Sequence, residues 1–426
     1  MEGRKYIVKG GRPLKGEISV KGAKNAVLPA ISATLLAPGV YEFKNVPLVR
    51  DVFCMLNILS HLGASWKVDE DTLYVNTEAI HRVDIPYELA SQIRASILFL
   101  GALTARFGEA VVPLPGGCQI GKRPVNFHQA GLEKLSAEIT LDHGNLVAKA
   151  KRLKGAEIVL DFPSVTATEN LMMAASLAEG ETVIKNAARE PEVVFLAELL
   201  QRMGAEVKGE GTETIIIKGR KRLKPAKIKI IPDRIEAGTF LILASLHPEN
   251  EITIKNFPFE YLETPLLKFQ EMGGVLERKG KDVAKVYPQR SYRPIEISTS
   301  PYPGFPTDLQ PMFAVALTQA EGLSIIRENL FENRFLYAFE LNRLSANIRV
   351  EGQTAFIQGK TRLVGSPVKA TDLRAGAALV IAGLIAENTT TIYRAELIER
   401  GYEKLPERLK ELSAEIEVEP CALCEA

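Results

Sequence analysis

The chain has 426 residues, 46% hydrophobic and 25% charged, with 53 Lys and Arg against 52 Asp and Glu. That length exceeds one simple core and predicts two or three domains, and the composition is that of an ordinary globular protein. A net charge of +1 excludes a bulk field that would draw the protein to nucleic acid or to a membrane surface, so any basic patch must be local.

The opening "MEGRKYIVKGG" carries no apolar signal core, and the runs "ASILFLGALTA" and "AGAALVIAGLIA" are too short to span a bilayer. Four cysteines (Cys54, Cys118, Cys421, Cys424) are too sparse for a disulfide framework and fit a reducing cytoplasm. Along the chain a helix-ending phrase recurs as "HLGASW", "KLSAEI", "RMGAEV", "EMGGVL", "RLSANI" and "ELSAEI". Aligning the third small position gives Ala64, Ala137, Ala205, Gly274, Ala346 and Ala414, at intervals of 68 to 73 residues. One unit of about seventy residues is therefore expected six times.

The third unit shows the internal order. "AEIVLDF" reads as a strand, "SVTATENLMMAASLA" as a helix, "GETVIKNA" as a second strand and "PEVVFLAELLQRMGA" as a second helix, before a closing hairpin. The basic, proline-containing "KGRKRLKPAKIKI" at 218–230 reads as a joint, after which "KIKIIPD", "RIEAGTFLILASL", "EITIKNF" and "YLETPLLKFQEMGG" repeat the pattern. A βαβαββ unit implies parallel crossovers, which bring helix N-termini to one end of each sheet, where anions are received. The expected fold class is α/β, with two lobes of three units and helix N-termini facing each other across the site.

The helix starts carry polar residues in chain order: Lys24 and Asn25, Arg94, Ser164, Asp233 and Arg234, Asp308, then Asp372 and Arg374. Loops before second helices add Arg334 and Arg400. Each could be a simple cap. Together, cations from several repeats with few acids between them suit a small substrate bearing several anionic groups. Asp308 is either an N-terminal cap or, kept ionised among those cations, a general base. Cys118, in "LPGGCQIGKRP", is either an inert loop residue or a thiol tuned by Lys122 and Arg123; Pro115 and the glycines suit a lid. Cys421 and Cys424 lack a second pair for zinc, the histidines show no metal spacing, and no dinucleotide fingerprint or Walker loop occurs.

The stretches "VKGAKNAVLPA", "GGCQIGKRPVNFH", "NAAREPE", "PDRIEAGTF", "PGFPTDLQ", "FENRF", "ATDLRA" and "ERGYE" closely resemble the UDP-N-acetylglucosamine 1-carboxyvinyltransferases, a branch of the enolpyruvyl transferases, in order and over essentially the whole chain. The resemblance implies a two-domain inside-out α/β barrel of six similar units. Its N-terminal lobe would be 22–231 and its C-terminal lobe 1–21 with 232–426. It implies transfer of the enolpyruvyl group of phosphoenolpyruvate to the 3′-hydroxyl of UDP-N-acetylglucosamine with release of phosphate, by addition and elimination, as the first committed step of peptidoglycan precursor synthesis.

By the same resemblance Cys118, Asp308 and Lys24 match catalytic positions, Cys118 being also the residue that fosfomycin alkylates in that family. Lys24, Asn25, Arg123 and Arg400 match the phosphoenolpyruvate site, with Arg334 and Arg374 in the same anion-binding set. Arg94, Arg123, Pro124, Val125, Asn126, Phe127, His128, Ser164, Val165, Asp308 and Leu330 match positions around the sugar nucleotide. No metal or organic cofactor, nucleic-acid partner or membrane contact is implied. Asn126 stands where that family usually has Asp, and Thr166 where it often has Gly. Two other readings are a 3-phosphoshikimate 1-carboxyvinyltransferase, disfavoured by "KGAKNA" and the cysteine loop, and a non-catalytic repeat protein that binds an anionic partner.

Overall fold

The computed structural model describes residues 3–115 and 125–421. Cys118, Lys122, Arg123, Pro124 and Cys424 lie outside the described residues. The chain forms two compact units, one of 22–115 with 125–231, the other of 3–21 with 232–421. Each has its own core, the first including Phe43, Leu59, Phe99 and Leu171, the second Tyr6, Phe240, Phe313 and Leu379. Cys421 is disulfide-bonded.

Within each unit helices form the interior and sheets the exterior. The helices Arg234–Ser245 and Gln310–Leu317 are buried along their whole length, and Leu373–Ile385 and Val165–Ala175 nearly so. Their sequences are mostly apolar or small on every face, as in a helix enclosed on all sides, and their few polar residues, among them Glu236, Asn170 and Arg374, are buried as well. The strands instead alternate, as in Glu181–Lys185 and Glu251–Lys255, where only the second and fourth residues are fully buried. One sheet face packs on the helices and the other meets water.

The recurring phrase has a local cause. Gly63, Ser136, Gly204, Gly273, Ser345 and Ser413, one before each aligned small position, all have positive φ. Each lets the following N–H turn back to the carbonyl five residues earlier, from Ala64 to Leu59 through to Ala414 to Leu409, at 2.8–3.1 Å. This left-handed cap satisfies a last-turn carbonyl and reverses the chain into the closing hairpin.

One expectation is corrected. "KIKIIPD" does not open the sheet of the fourth repeat. Strand Lys227–Lys229 pairs in parallel with Val40–Lys44, and the strand beside Glu251–Lys255 is Lys15–Ser19. An asparagine after the second strand marks the exchange: Asn45, Asn186 and Asn256, all at positive φ, donate through Nδ2 to Ile230, Leu160 and Val20. In the third repeat the acceptor follows the chain's own preceding strand. In the other two it comes from the exchanged strand. Each of the two strands is short and buries a single isoleucine, Ile228 or Ile18, so little in its own sequence assigns it to a sheet, and the unit that each joins is decided by where the chain runs at 21–22 and 231–232.

Candidate active site

In the 22–231 unit, Lys24 is the first residue of helix Lys24–Ala33. It is 8% exposed, and its Nζ donates to Oδ2 of Asp51, 1% exposed, at 2.9 Å. Asp51 lies in the first turn of helix Arg50–Leu62, whose dipole also favours a carboxylate there. Asn25 is half-buried beside Lys24, and Arg94 opens the short helix Arg94–Leu98, also half-buried. Asn126 opens helix Asn126–Lys134 and is exposed, with Val125 and Phe127 half-buried on either side. Ser164 caps helix Val165–Ala175 by accepting from the Ala167 amide.

His128, 3% exposed, has both ring nitrogens engaged, Nδ1 against Asn170 Nδ2 at 2.9 Å and Nε2 against Thr166 Oγ1 at 3.3 Å. Burial, aided by the Arg94 charge, pushes its pKa down to about 3. The unfolded chain takes up this proton near its ordinary value of 6.5, whereas the folded chain refuses it until about 3, so acidification across that window favours unfolding. Going from about pH 7 to about pH 5 is expected to cost roughly 2 kcal/mol through this group. Denaturant titrations of the parent and His128→Gln at both pH values check it, since the variant lacks this increment; equal pH dependence would contradict it.

In the 232–421 unit, Asp308 sits in the short helix Thr307–Leu309. Its Oδ1 accepts from Arg334 Nη2 at 3.0 Å, and its Oδ2 from Arg374 Nε at 3.3 Å. Both arginines are 2% exposed, and Arg374 lies over the Tyr402 ring, 5.4 Å from its centroid. Tyr402 is held by Thr239 at 2.9 Å between the two hydroxyls. Asp233 and Asp372 are caps, each accepting from the two amides that follow in its helix. Asp308 is not, because two buried guanidinium groups take its oxygens. Arg400 ends the short helix Ala395–Arg400 and is half-buried.

The expectation of cations with few acids between them is corrected at Lys24, which meets Asp51, while Arg334 and Arg374 meet Asp308, the carboxylate expected among cations. Sequence reasoning also missed Glu328, which is fully buried. Its Oε1 accepts from Thr299 Oγ1 and from the Leu330 and Phe331 amides, and its Oε2 from Thr307 Oγ1, so it ties the Leu330 turn to the residue before Asp308. A glutamate ending the apolar strand of "LSIIREN" was the available signal. Among the described residues no group of three or more His, Cys, Asp or Glu is placed to hold a metal ion. No helix there is long and apolar enough to cross a membrane.

The profile of the EPSP synthase (3-phosphoshikimate 1-carboxyvinyltransferase) family matches residues 8–409. UDP-N-acetylglucosamine 1-carboxyvinyltransferase of Geobacter metallireducens is 48% identical over 412 residues, 97% of this chain and 98% of that protein. The enzyme of the same name from Thermodesulfovibrio yellowstonii is 48% identical over 97% of this chain and 99% of its own. This chain belongs to the UDP-N-acetylglucosamine 1-carboxyvinyltransferase family. Among solved structures, the enolpyruvyl transferase NikO from Streptomyces tendae superposes with a TM-score of 0.90 at 25% identity, covering 99% of this chain and all of that one. EPSP synthase from Acinetobacter baumannii superposes at 0.77 with 19% identity over 98% of this chain, a likeness of fold. The α/β fold read from the sequence is thus that of the enolpyruvyl transferases, and UDP-N-acetylglucosamine 1-carboxyvinyltransferases resemble this chain far more in sequence than the EPSP synthase does.

Proposed function

We propose that this chain joins the enolpyruvyl group of phosphoenolpyruvate to the 3′-hydroxyl of UDP-N-acetylglucosamine, and that the residues above divide the work as follows. Lys24, Asn25, Arg123 and Arg400 hold phosphoenolpyruvate, balancing its phosphate and carboxylate charge and the charge that develops on them. Asp308 takes the proton of the attacking hydroxyl while Cys118 delivers one to C3, so the sugar oxygen bonds to C2 and a tetrahedral intermediate forms. Loss of a C3 proton then expels phosphate and restores the double bond. Arg334 and Arg374 act on the anionic centre through Asp308, whose carboxylate they orient. Arg94, the Arg123–His128 segment, Ser164, Val165 and Leu330 surround the sugar nucleotide.

The observation that carries this reading is 48% identity along nearly the entire length of enzymes named for this reaction. We read the enzyme as cytoplasmic, because both substrates of this reading are multiply charged and do not cross a bilayer unaided.

Phosphate release from phosphoenolpyruvate, with UDP-N-acetylglucosamine and shikimate 3-phosphate offered separately, tests the reading. Release only with the sugar nucleotide is expected; release only with shikimate 3-phosphate would replace it by the EPSP synthase activity. Cys118→Ser is expected to lower kcat by about 10²-fold or more and to abolish time-dependent inactivation by fosfomycin. Mass spectrometry of the treated protein checks this, and an adduct persisting in the variant would place the target elsewhere.

A further inference from the structure

Glu328 follows strand Gly322–Arg327, and its amide donates to the Gln353 carbonyl at 2.9 Å, which anchors the backbone there in the sheet. Its fully buried carboxylate faces two segments that carry site residues. On one side Oε1 accepts from the Leu330 and Phe331 amides at 2.9 and 3.2 Å, closing the turn that leads to Arg334. On the other Oε2 accepts from Thr307 Oγ1 at 2.9 Å and Gln310 Nε2 at 3.4 Å, on either side of Asp308. Thr299 Oγ1 adds a fifth donor, to Oε1 at 2.9 Å. All five donors are uncharged, so this carboxylate acts as an acceptor facing two ways and not as half of an ion pair.

The two segments are joined a second time. Arg334, at the end of the Leu330 turn, grips the Asp308 carboxylate at 3.0 Å, while Glu328 grips the residue before Asp308. A single join would leave one segment to pivot about the other. Two joins fix both the separation of Asp308 from Leu330 and the tilt between them. A carboxylate suits this place because it presents two acceptor oxygens in a rigid fork, one for each segment.

We propose that Glu328 is a positioning residue that aligns the acceptor sugar with its base, by fixing Asp308 relative to Leu330. Buried as it is, it touches neither substrate. The proposal rests on the reaction reading above, in which Leu330 lies beside the sugar nucleotide and Asp308 takes the hydroxyl proton. Alignment of a base with its hydroxyl matters in the transition state, so its loss lowers kcat and leaves nucleotide affinity in place.

Two hydroxyl deletions on the same carboxylate separate alignment from packing. Thr307→Val cuts the link to the Asp308 segment. Thr299→Val removes a donor to Oε1 and the acceptor of the Asn329 amide, yet leaves both links standing. Thr307→Val is expected to lower kcat by about tenfold to a hundredfold. Its Kd for UDP-N-acetylglucosamine and KM for phosphoenolpyruvate stay within about threefold of the parent, as does kcat in Thr299→Val. Equal losses of kcat in the two variants would reduce Glu328 to a packing group and overturn the proposal, as would parent-like kcat in Thr307→Val. Glu328→Gln is expected to recover most of the turnover lost in Glu328→Leu. Its oxygen still takes the two amides, and its Nε2 faces the Thr307 hydroxyl and Gln310, whose Oε1 is buried without a partner among the described residues and can turn to accept. A glutamine variant as slow as the leucine one would show that charge is what matters and overturn it too. Amide hydrogen exchange over 307–310, read by mass spectrometry without substrates, judges the clamp apart from the reaction. It is expected to be at least about tenfold faster in Thr307→Val and unchanged in Thr299→Val; parent-like exchange in Thr307→Val would overturn the proposal. That exchange pattern in a protein whose parent releases no phosphate with UDP-N-acetylglucosamine would refute the reaction reading and leave the clamp standing.

Discussion

Asp308→Asn is expected to lower kcat for enolpyruvyl transfer by about 10²–10⁴-fold while changing the affinity for UDP-N-acetylglucosamine by less than about threefold. The substitution keeps the volume of the side chain and one acceptor oxygen but removes the site that would hold the hydroxyl proton. The carboxylate is not spare charge: Arg334 reaches it at 3.0 Å and Arg374 at 3.2 Å, both 2% exposed. Two guanidinium groups hold the Asp308 carboxylate in place, so its usefulness lies in a fixed direction of approach. The asparagine also leaves buried positive charge without its counter-ion, and unfolding must be measured beside turnover. A comparable loss in nucleotide binding and in kcat would refute the base role and make Asp308 a binding residue.

Lys24→Met should raise KM for phosphoenolpyruvate at least about a hundredfold and destabilise the 22–231 unit by roughly 3 kcal/mol. The stability term comes from Asp51, 1% exposed and 2.9 Å from the ammonium, which would lose this ion pair inside the protein. The dipole of helix Arg50–Leu62 still favours Asp51, which keeps the cost near the lower end for a broken buried pair. The double variant Lys24→Met/Asp51→Leu separates the two effects, because an apolar pair of similar volume recovers stability without recovering charge. Urea titration and steady-state kinetics on both variants check it. Recovered turnover in the double variant would show that Lys24 serves only the fold.

Much of the local structure was legible because its causes are short-range. The six left-handed helix caps announce themselves as Gly or Ser before a small residue, from Gly63–Ala64 to Ser413–Ala414, since the reversal is completed within six residues. The interior helices are legible for a similar reason: "IEAGTFLILAS" has no polar stripe and can only be enclosed. The site was legible as a set of cations at helix starts, but not as a set of pairs. Lys24 and Asp51 are 27 residues apart, and Asp308 is 66 from Arg374, separations over which no periodicity operates.

Three aspartates at equivalent helix starts show where the division falls. By itself the sequence determined that Asp233, Asp308 and Asp372 each stand where a helix begins, along with the caps, the strand patterns and the family to which the chain belongs. Tertiary structure alone decided that Asp233 and Asp372 cap their own helices while Asp308 is held by Arg334 and Arg374. It also decided that Lys227–Lys229 and Lys15–Ser19 trade sheets. The reason is the same in both cases. A capping carboxylate and a short strand each offer hydrogen-bonding groups that several partners could satisfy, and which partner arrives depends on packing between segments far apart in the chain.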